Sequence, residues 1–251
     1  RHWKAISTQK LEELMERPLG DLDLVAILID GVNFEEHVVA VSVGVSSDGS
    51  KHVLGLWQGA TENTQIVKEL LADMVRRGLD TERRYLFVIA VAKALHKAVT
   101  SVFGENAVIQ RCQVHKQRNV LSHLPKRCHF QVRSRLRIAW EMTSYPDAKE
   151  ELKKLVSELK EINDSAARSL EEGFEETLTL HRLGIPPTLR RSLRSGARRW
   201  RSWRKARNVN PAIESRLRFQ VSTARGTSPV MAERVTAALC PSACPLRSSC
   251  H

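Results

Sequence analysis

The 251-residue chain contains no run of eighteen or more apolar residues, which excludes a membrane-spanning helix. No basic start followed by an apolar stretch opens it, so no secretory leader is expected. It has no internal repeat, no glycine-rich phosphate loop and no GxSxG turn, which sets aside P-loop nucleotide hydrolysis and serine hydrolysis. Cysteine is sparse and odd in number: Cys112, Cys128, Cys240, Cys244 and Cys250. An odd set without a leader argues against a disulfide framework and for a reducing cytoplasm. Cys240, Cys244, Cys250 and His251 are zinc-ligand types, but their spacing fits no common finger. The first residue is Arg1 rather than Met, so a longer product is expected.

What is present is a globular composition, 42% hydrophobic, with a formal net charge of +12. That much apolar surface excludes wholesale disorder. The charge is uneven. Residues 1–110 hold 12 basic and 15 acidic side chains, whereas residues 111–251 hold 28 and 13. Such asymmetry points to a polyanionic partner, in the first place nucleic acid, with a solvated basic surface as the alternative. The densest stretch, Pro187–Arg207, has no acid and carries Arg190, Arg191, Arg194, Arg198, Arg199, Arg201, Arg204, Lys205 and Arg207. Trp200 and Trp203 lie among them, placed either to stack on bases or to pack against a core.

The hydrophobic pattern predicts a short helix over Leu11–Pro18 and a buried strand over Leu24–Ile29 closed by Asp30 and Gly31. Further strands are predicted at Val38–Val45 and Lys51–Trp57, joined by a turn at Asp48-Gly49. A helix follows from Thr61–Asn63 to Arg77, then a strand at Tyr85–Val91, a helix to Phe103, a strand at Ala107–Ile109 and a helix over His115–Leu124. From Gln131 to His181 the pattern is helical, with Leu152, Leu155, Val156, Leu159 and Ile162 on one face and a break at Asn163 and Asp164. Past Ser195 the periodicity fades, and the last dozen residues read as unstructured. Three strands, then alternating helices and strands, describe an α/β fold with a mixed sheet flanked by helices, in the order of a ribonuclease-H-like domain; order alone leaves other α/β folds open. The expected segments are a helical N-terminal remnant (1–22), a ribonuclease-H-like core (23–128), an all-helical insertion (129–186) and a basic C-terminal segment (187–251).

Several long phrases carry a resemblance: IDG at Ile29–Gly31, SDGSKHVLGLWQGATEN at Ser47–Asn63, LLADMVRRGLD at Leu70–Asp80, LFVI and AKAL on either side of Ala90, FGENAVIQRCQVHKQRNVLSHLP at Phe103–Pro125, and SLEEGFEETLTLHRLG at Ser169–Gly184. Between Val25 and Leu183 the chain resembles the mutator-type transposases of bacterial insertion sequences. That resemblance implies a ribonuclease-H-like fold with an Asp-Asp-Glu triad holding two Mg²⁺ ions, cleavage and strand transfer of DNA, and a bacterial, nucleoid-associated location in the cytoplasm. The implied partners are DNA, both element ends and target, and further copies of the chain. Two hard cations held by carboxylates clamp the attacking and leaving oxygens of a phosphodiester.

Carried over residue by residue, the resemblance makes Asp30 the first acid. The second belongs after LFVI, where this chain has Ala90 followed by Val91. The third lies in a TN-x-IES-like phrase, to which Asn210–Ser215 is similar with one residue too many, making Glu214 the candidate; the other reading is shuffled coding sequence. Cys112 and His115 reproduce a Cys-x-x-His signature of the family, read as a core cysteine and a histidine that positions DNA or a carboxylate, or as half of a zinc site. Lys116, Arg118 and Lys126 are placed to touch phosphates. Glu175 and Glu176 are read as solvated helix residues. A methyl group cannot ligate a metal, so Ala90 predicts weak Mg²⁺ occupancy and impaired chemistry. The alternative to a working enzyme is a non-catalytic DNA- or partner-binding remnant.

Overall fold

The computed structural model describes residues 12–34, 37–59, 64–90 and 93–194. Five strands form one mixed sheet: β1 (Leu24–Phe34), β2 (His37–Ser46), β3 (Lys51–Gly59), β4 (Tyr85–Ile89) and β5 (Ala107–Arg111). Their spatial order is β3-β2-β1-β4-β5. β1–β2 and β2–β3 pair antiparallel, while β1–β4 and β4–β5 pair parallel.

Alternation explains which side chains fill which face, since neighbouring residues of a strand point to opposite sides. On β4, Tyr85, Phe87 and Ile89 join a cluster with Leu70, Leu71 and Met74, whereas Leu86 and Val88 join another with Leu180, Ile185 and Leu189. Every residue of this strand is buried, as expected of a parallel strand covered on both faces. The β2–β3 turn places Gly49 at φ 84°, and Asp48 accepts from the Ser50 backbone N–H at 2.8 Å. Glycine takes that left-handed conformation without a Cβ clash.

Helices α1 (Thr64–Arg76) and α2 (Lys93–Phe103) cover one face of the sheet. Then come α3 (Gln113–Ser122), α4 (His129–Glu141), α5 (Tyr145–Ile162), α6 (Asp164–Glu171), α7 (Thr179–Arg182) and α8 (Pro187–Leu193). Side chains of α3 to α6 form a separate apolar cluster, including Val120, Leu136, Leu152, Leu155, Leu159 and Leu170. The break in the helical pattern at Asn163 is a cap: its side chain accepts from the Ala166 backbone N–H at 3.1 Å and starts α6.

The boundaries depart from the sequence pattern in informative ways. β1 runs on to Phe34 because β2 pairs with it along its whole length, Asp30 opposite Val41 and Gly31 opposite Ala40. β4 ends at Ile89 rather than Val91, and β5 extends to Arg111. Residues 12–16 are helical within the expected Leu11–Pro18 segment. No described helix is long and apolar enough to cross a membrane.

Candidate functional site

The parallel register sets the two key positions at the same end of the sheet. β1 and β4 pair from Ala26–Leu86 to Ile29–Ile89, and Asp30 and Ala90 are the residues that follow this last pair. One step further across, β5 pairs with β4 as far as Arg111 beside Ile89. The carboxyl ends of three neighbouring parallel strands therefore form one mouth, the usual location of a ligand site in an open α/β sheet.

Asp30 is 7% exposed. His115 reaches it from the first turn of α3, with Nε2 3.8 Å from Oδ1. Cys112 caps α3 through its backbone: its N–H donates to the Ile89 carbonyl at 2.8 Å, and its side chain is buried. The Cys-x-x-His spacing thus turns the chain from β5 into α3 and aims the histidine at the β1 carboxylate. Cys128 and His129 lie elsewhere, at the junction between α3 and α4, where a His129 ring nitrogen contacts the Leu124 carbonyl at 2.9 Å. Among the described residues no three His, Cys, Asp or Glu side chains gather to hold a metal ion. A two-metal centre requires several carboxylate oxygens, and the position after Ile89 offers only the methyl group of Ala90, which packs against the cluster with Leu70, Leu71 and Met74. The described residues do not fit that cofactor. Glu214 lies outside them, as do Arg198, Arg199, Arg201, Arg204, Lys205 and Arg207 and the cysteines of the tail.

Two of the basic residues read as phosphate contacts are buried, Lys116 and Arg190. Lys116 is fully buried, and its ammonium donates to the carbonyls of Ser169 at 2.6 Å and Glu172 at 2.5 Å. Burial lowers its pKa to about 8, partly opposed by Glu172. An ammonium enclosed in this way has no face for a phosphate, which corrects that expectation. Arg190 is 4% exposed and donates to the Met142 carbonyl at 2.7 Å. Beside it His181 is buried, and burial with the neighbouring guanidinium pushes its pKa down to about 4. Arg194 is mostly covered and lies 3.6 Å from Glu141. Arg118 is half-buried, while Arg191 and Lys126 are exposed.

Glu176 is not a solvated helix residue. Its carboxylate takes Arg111 Nε at 2.5 Å and His96 Nε2 at 3.0 Å. Glu172 stands 4.0 Å from the same guanidinium and 3.9 Å from Lys93. Glu175 instead bonds outward, to Lys149 at 2.5 Å and the Tyr145 hydroxyl at 2.6 Å. The Arg111 cluster escaped sequence reasoning because its members lie far apart in the chain. The available signal was an arginine directly after an apolar strand, at the end where polar sites concentrate.

Comparison with known proteins fits this architecture. The family model described as "Transposase, Mutator family" matches residues 4–198. The chain belongs to that family. It is 34% identical over 122 residues to the transposase for insertion sequence element IS6120 of Mycolicibacterium smegmatis, covering 45% of this chain and 36% of that one. It is 27% identical over 183 residues to the transposase for ISRM5 of Rhizobium meliloti, covering 72% and 44%. It is 26% identical over 187 residues to the transposase for IST2 of Acidithiobacillus ferrooxidans, covering 72% and 58%. The matches therefore span between about a third and three-fifths of those relatives' lengths.

Proposed function

We propose that this chain carries the ribonuclease-H-like core of an insertion-sequence transposase, that it binds DNA, and that its own strand-transfer chemistry is impaired. The family match and the sheet of three antiparallel strands continued by two parallel ones support the first part. The observation that carries the last part is that Asp30 and Ala90 directly follow the last β1–β4 pair, Ile29–Ile89. Losing a carboxylate there removes one negative charge and at least one hard oxygen donor, so Asp30 alone holds Mg²⁺ weakly. By resemblance the partners are element ends and target DNA, the working form is a multimer, and the location is the bacterial nucleoid.

Two measurements test this reading. The purified chain, given a DNA end with a free 3′-hydroxyl and a target plasmid in Mg²⁺ or Mn²⁺, should form no more joined product than its Asp30→Asn variant. Robust joining that Asp30→Asn abolishes would overturn the impairment. Calorimetric titration with Mn²⁺ alone should show tighter binding in Ala90→Asp than in the unaltered chain, and the gain should vanish in Ala90→Asp/Asp30→Asn. No gain in Ala90→Asp would mean that the two positions do not form a paired-acid site.

A further inference from the structure

Between Asn106 and Trp140 the sequence has no acidic residue and eight basic ones: Arg111, Lys116, Arg118, Lys126, Arg127, Arg133, Arg135 and Arg137. The structure sorts these by use. Arg111 and Lys116 are spent inside the fold. Arg135 is bound by Glu151 at 2.7 Å and Glu158 at 2.5 Å. Lys126, Arg127, Arg133 and Arg137 are exposed.

Arg133 and Arg137 lie on helix α4 with an aromatic ring, and Lys126 and Arg127 lie in the short 3-10 turn, Lys126–Cys128, that leads into it. The inward face of α4 is Val132, Leu136, Ala139 and Trp140. At 100° per residue, Phe130 and Arg137 fall about 135° and 115° from the centre of that inward face and Arg133 about 75° from it, all on the same side of the helix. Phe130 is 82% exposed, the most of any large hydrophobic side chain among the described residues, and Ile138, also turned outward, is 51% exposed. The only acid of the helix, Glu141, sits at its far end beside Arg194. Exposure of a phenyl ring on the side away from the core contributes nothing to folding, and exposed guanidinium groups around it attract an anion. A partner that supplies both phosphates and flat aromatic faces is a nucleic acid with unpaired bases.

We propose that the outer face of α4, with the turn that leads into it, is a DNA-binding surface, in which Lys126, Arg127, Arg133 and Arg137 hold the phosphodiester backbone and Phe130 stacks on an unpaired base. This rests on the DNA-binding reading above and adds to it a site distinct from the Asp30 mouth. The two kinds of contact predict different substrate preferences. Phosphate contacts serve duplex and single strand alike and carry no sequence information. A stacking ring gains only where a base is already out of the duplex stack.

The test uses the full chain and two labelled probes in fluorescence anisotropy: a blunt duplex and the same duplex with a single-stranded 3′ overhang. Arg133→Ala/Arg137→Ala should weaken both probes and flatten the slope of log affinity against log salt by about 2, one for each guanidinium removed. Phe130→Ala should leave the blunt duplex unchanged and weaken the overhang probe on the order of tenfold. Phe130→Trp should keep the overhang preference, and Phe130→Leu should lose it. Equal binding of the overhang by Phe130→Ala, or an unaltered salt slope in the arginine variant, would overturn the assignment while leaving DNA binding elsewhere on the chain intact. Failure of the unaltered chain to bind either probe at low salt would overturn the function reading as well. A Phe130→Ala variant that changes the sedimenting mass but not overhang binding would make the face a contact between copies, and so defeat the proposal.

Discussion

His115 and Lys116 are adjacent on α3 yet serve two different regions. His115 faces the mouth of the sheet, where it meets Asp30 at 3.8 Å. Lys116 faces the seam between the sheet and the helices, where two carbonyls at the end of α6 hold its ammonium. The seam is electrically complete: Arg111 has Glu176, and Glu176 has His96. At the mouth Asp30 follows Ile29 on β1, and Ala90 follows the last residue of β4. Buried charges at a seam must be paired, because an uncompensated one costs several kcal/mol. A carboxylate removed from a metal site relieves like-charge repulsion and costs the fold little. Folding therefore constrains the seam tightly, and a mouth placed for chemistry is expected to be constrained less.

The largest effect that sharpens this contrast is expected at Gly173. Its φ is +64°, and a Cβ there would lie 2.4 Å from Arg111 Nε. Gly173→Ala would impose a left-handed conformation on alanine and push Arg111 off Glu176, costing about 3 kcal/mol or more. Urea unfolding should show it as a lower midpoint at unchanged slope. Next is Lys116→Met, which keeps most of the volume but leaves the Ser169 and Glu172 carbonyls without their donor, a loss of about 2–4 kcal/mol. If either variant proved as stable as the parent, the seam would not be what constrains this region.

A third effect is one of pH. Lys116 has its pKa lowered to about 8 from an ordinary 10.5, chiefly by burial. Between those values the unfolded chain carries a proton that the folded chain has released, so stability should rise with pH across this window. Other groups titrate there too, so the quantity to follow is the difference between the parent and Lys116→Met. That difference should grow toward alkaline pH and be constant below about 8. A flat difference would mean the ammonium is better solvated than its enclosure indicates.

Local signals made most of the fold legible in the sequence. The apolar run Tyr85–Ile89, the turn at Asp48-Gly49 and the stripe Leu152, Leu155, Val156 and Leu159 each obey a short-range rule, and each has its expected form. Boundaries set by pairing were less visible: nothing in Gly31–Phe34 announces a strand, and it is one because β2 lies alongside. The mouth was half legible. Asp30 and Ala90 were found through family phrases, but their common place after the last β1–β4 pair is a property of register. The use of each cation was not legible at all. Lys116, Arg118 and Lys126 read alike in one basic phrase, and only tertiary packing buries the first and leaves the last in water.

The smallest effect is expected at Asp30 itself. The residue is 7% exposed, and His115 Nε2 stands 3.8 Å from its Oδ1. Asp30→Asn keeps size and shape and removes the charge. If Asp30 were a structural charge like Arg111, neutralising it would destabilise by several kcal/mol. As a residue placed for chemistry it should shift stability by less than about 1 kcal/mol in either direction, because active-site charges are retained for function at some expense of stability. Thermal unfolding of Asp30→Asn beside Gly173→Ala therefore separates the two regions directly: a large loss at Asp30 would make the mouth part of the scaffold, whereas near-silence there and collapse at Gly173 would show that the strands are held in register by the seam and not by the carboxylate between them.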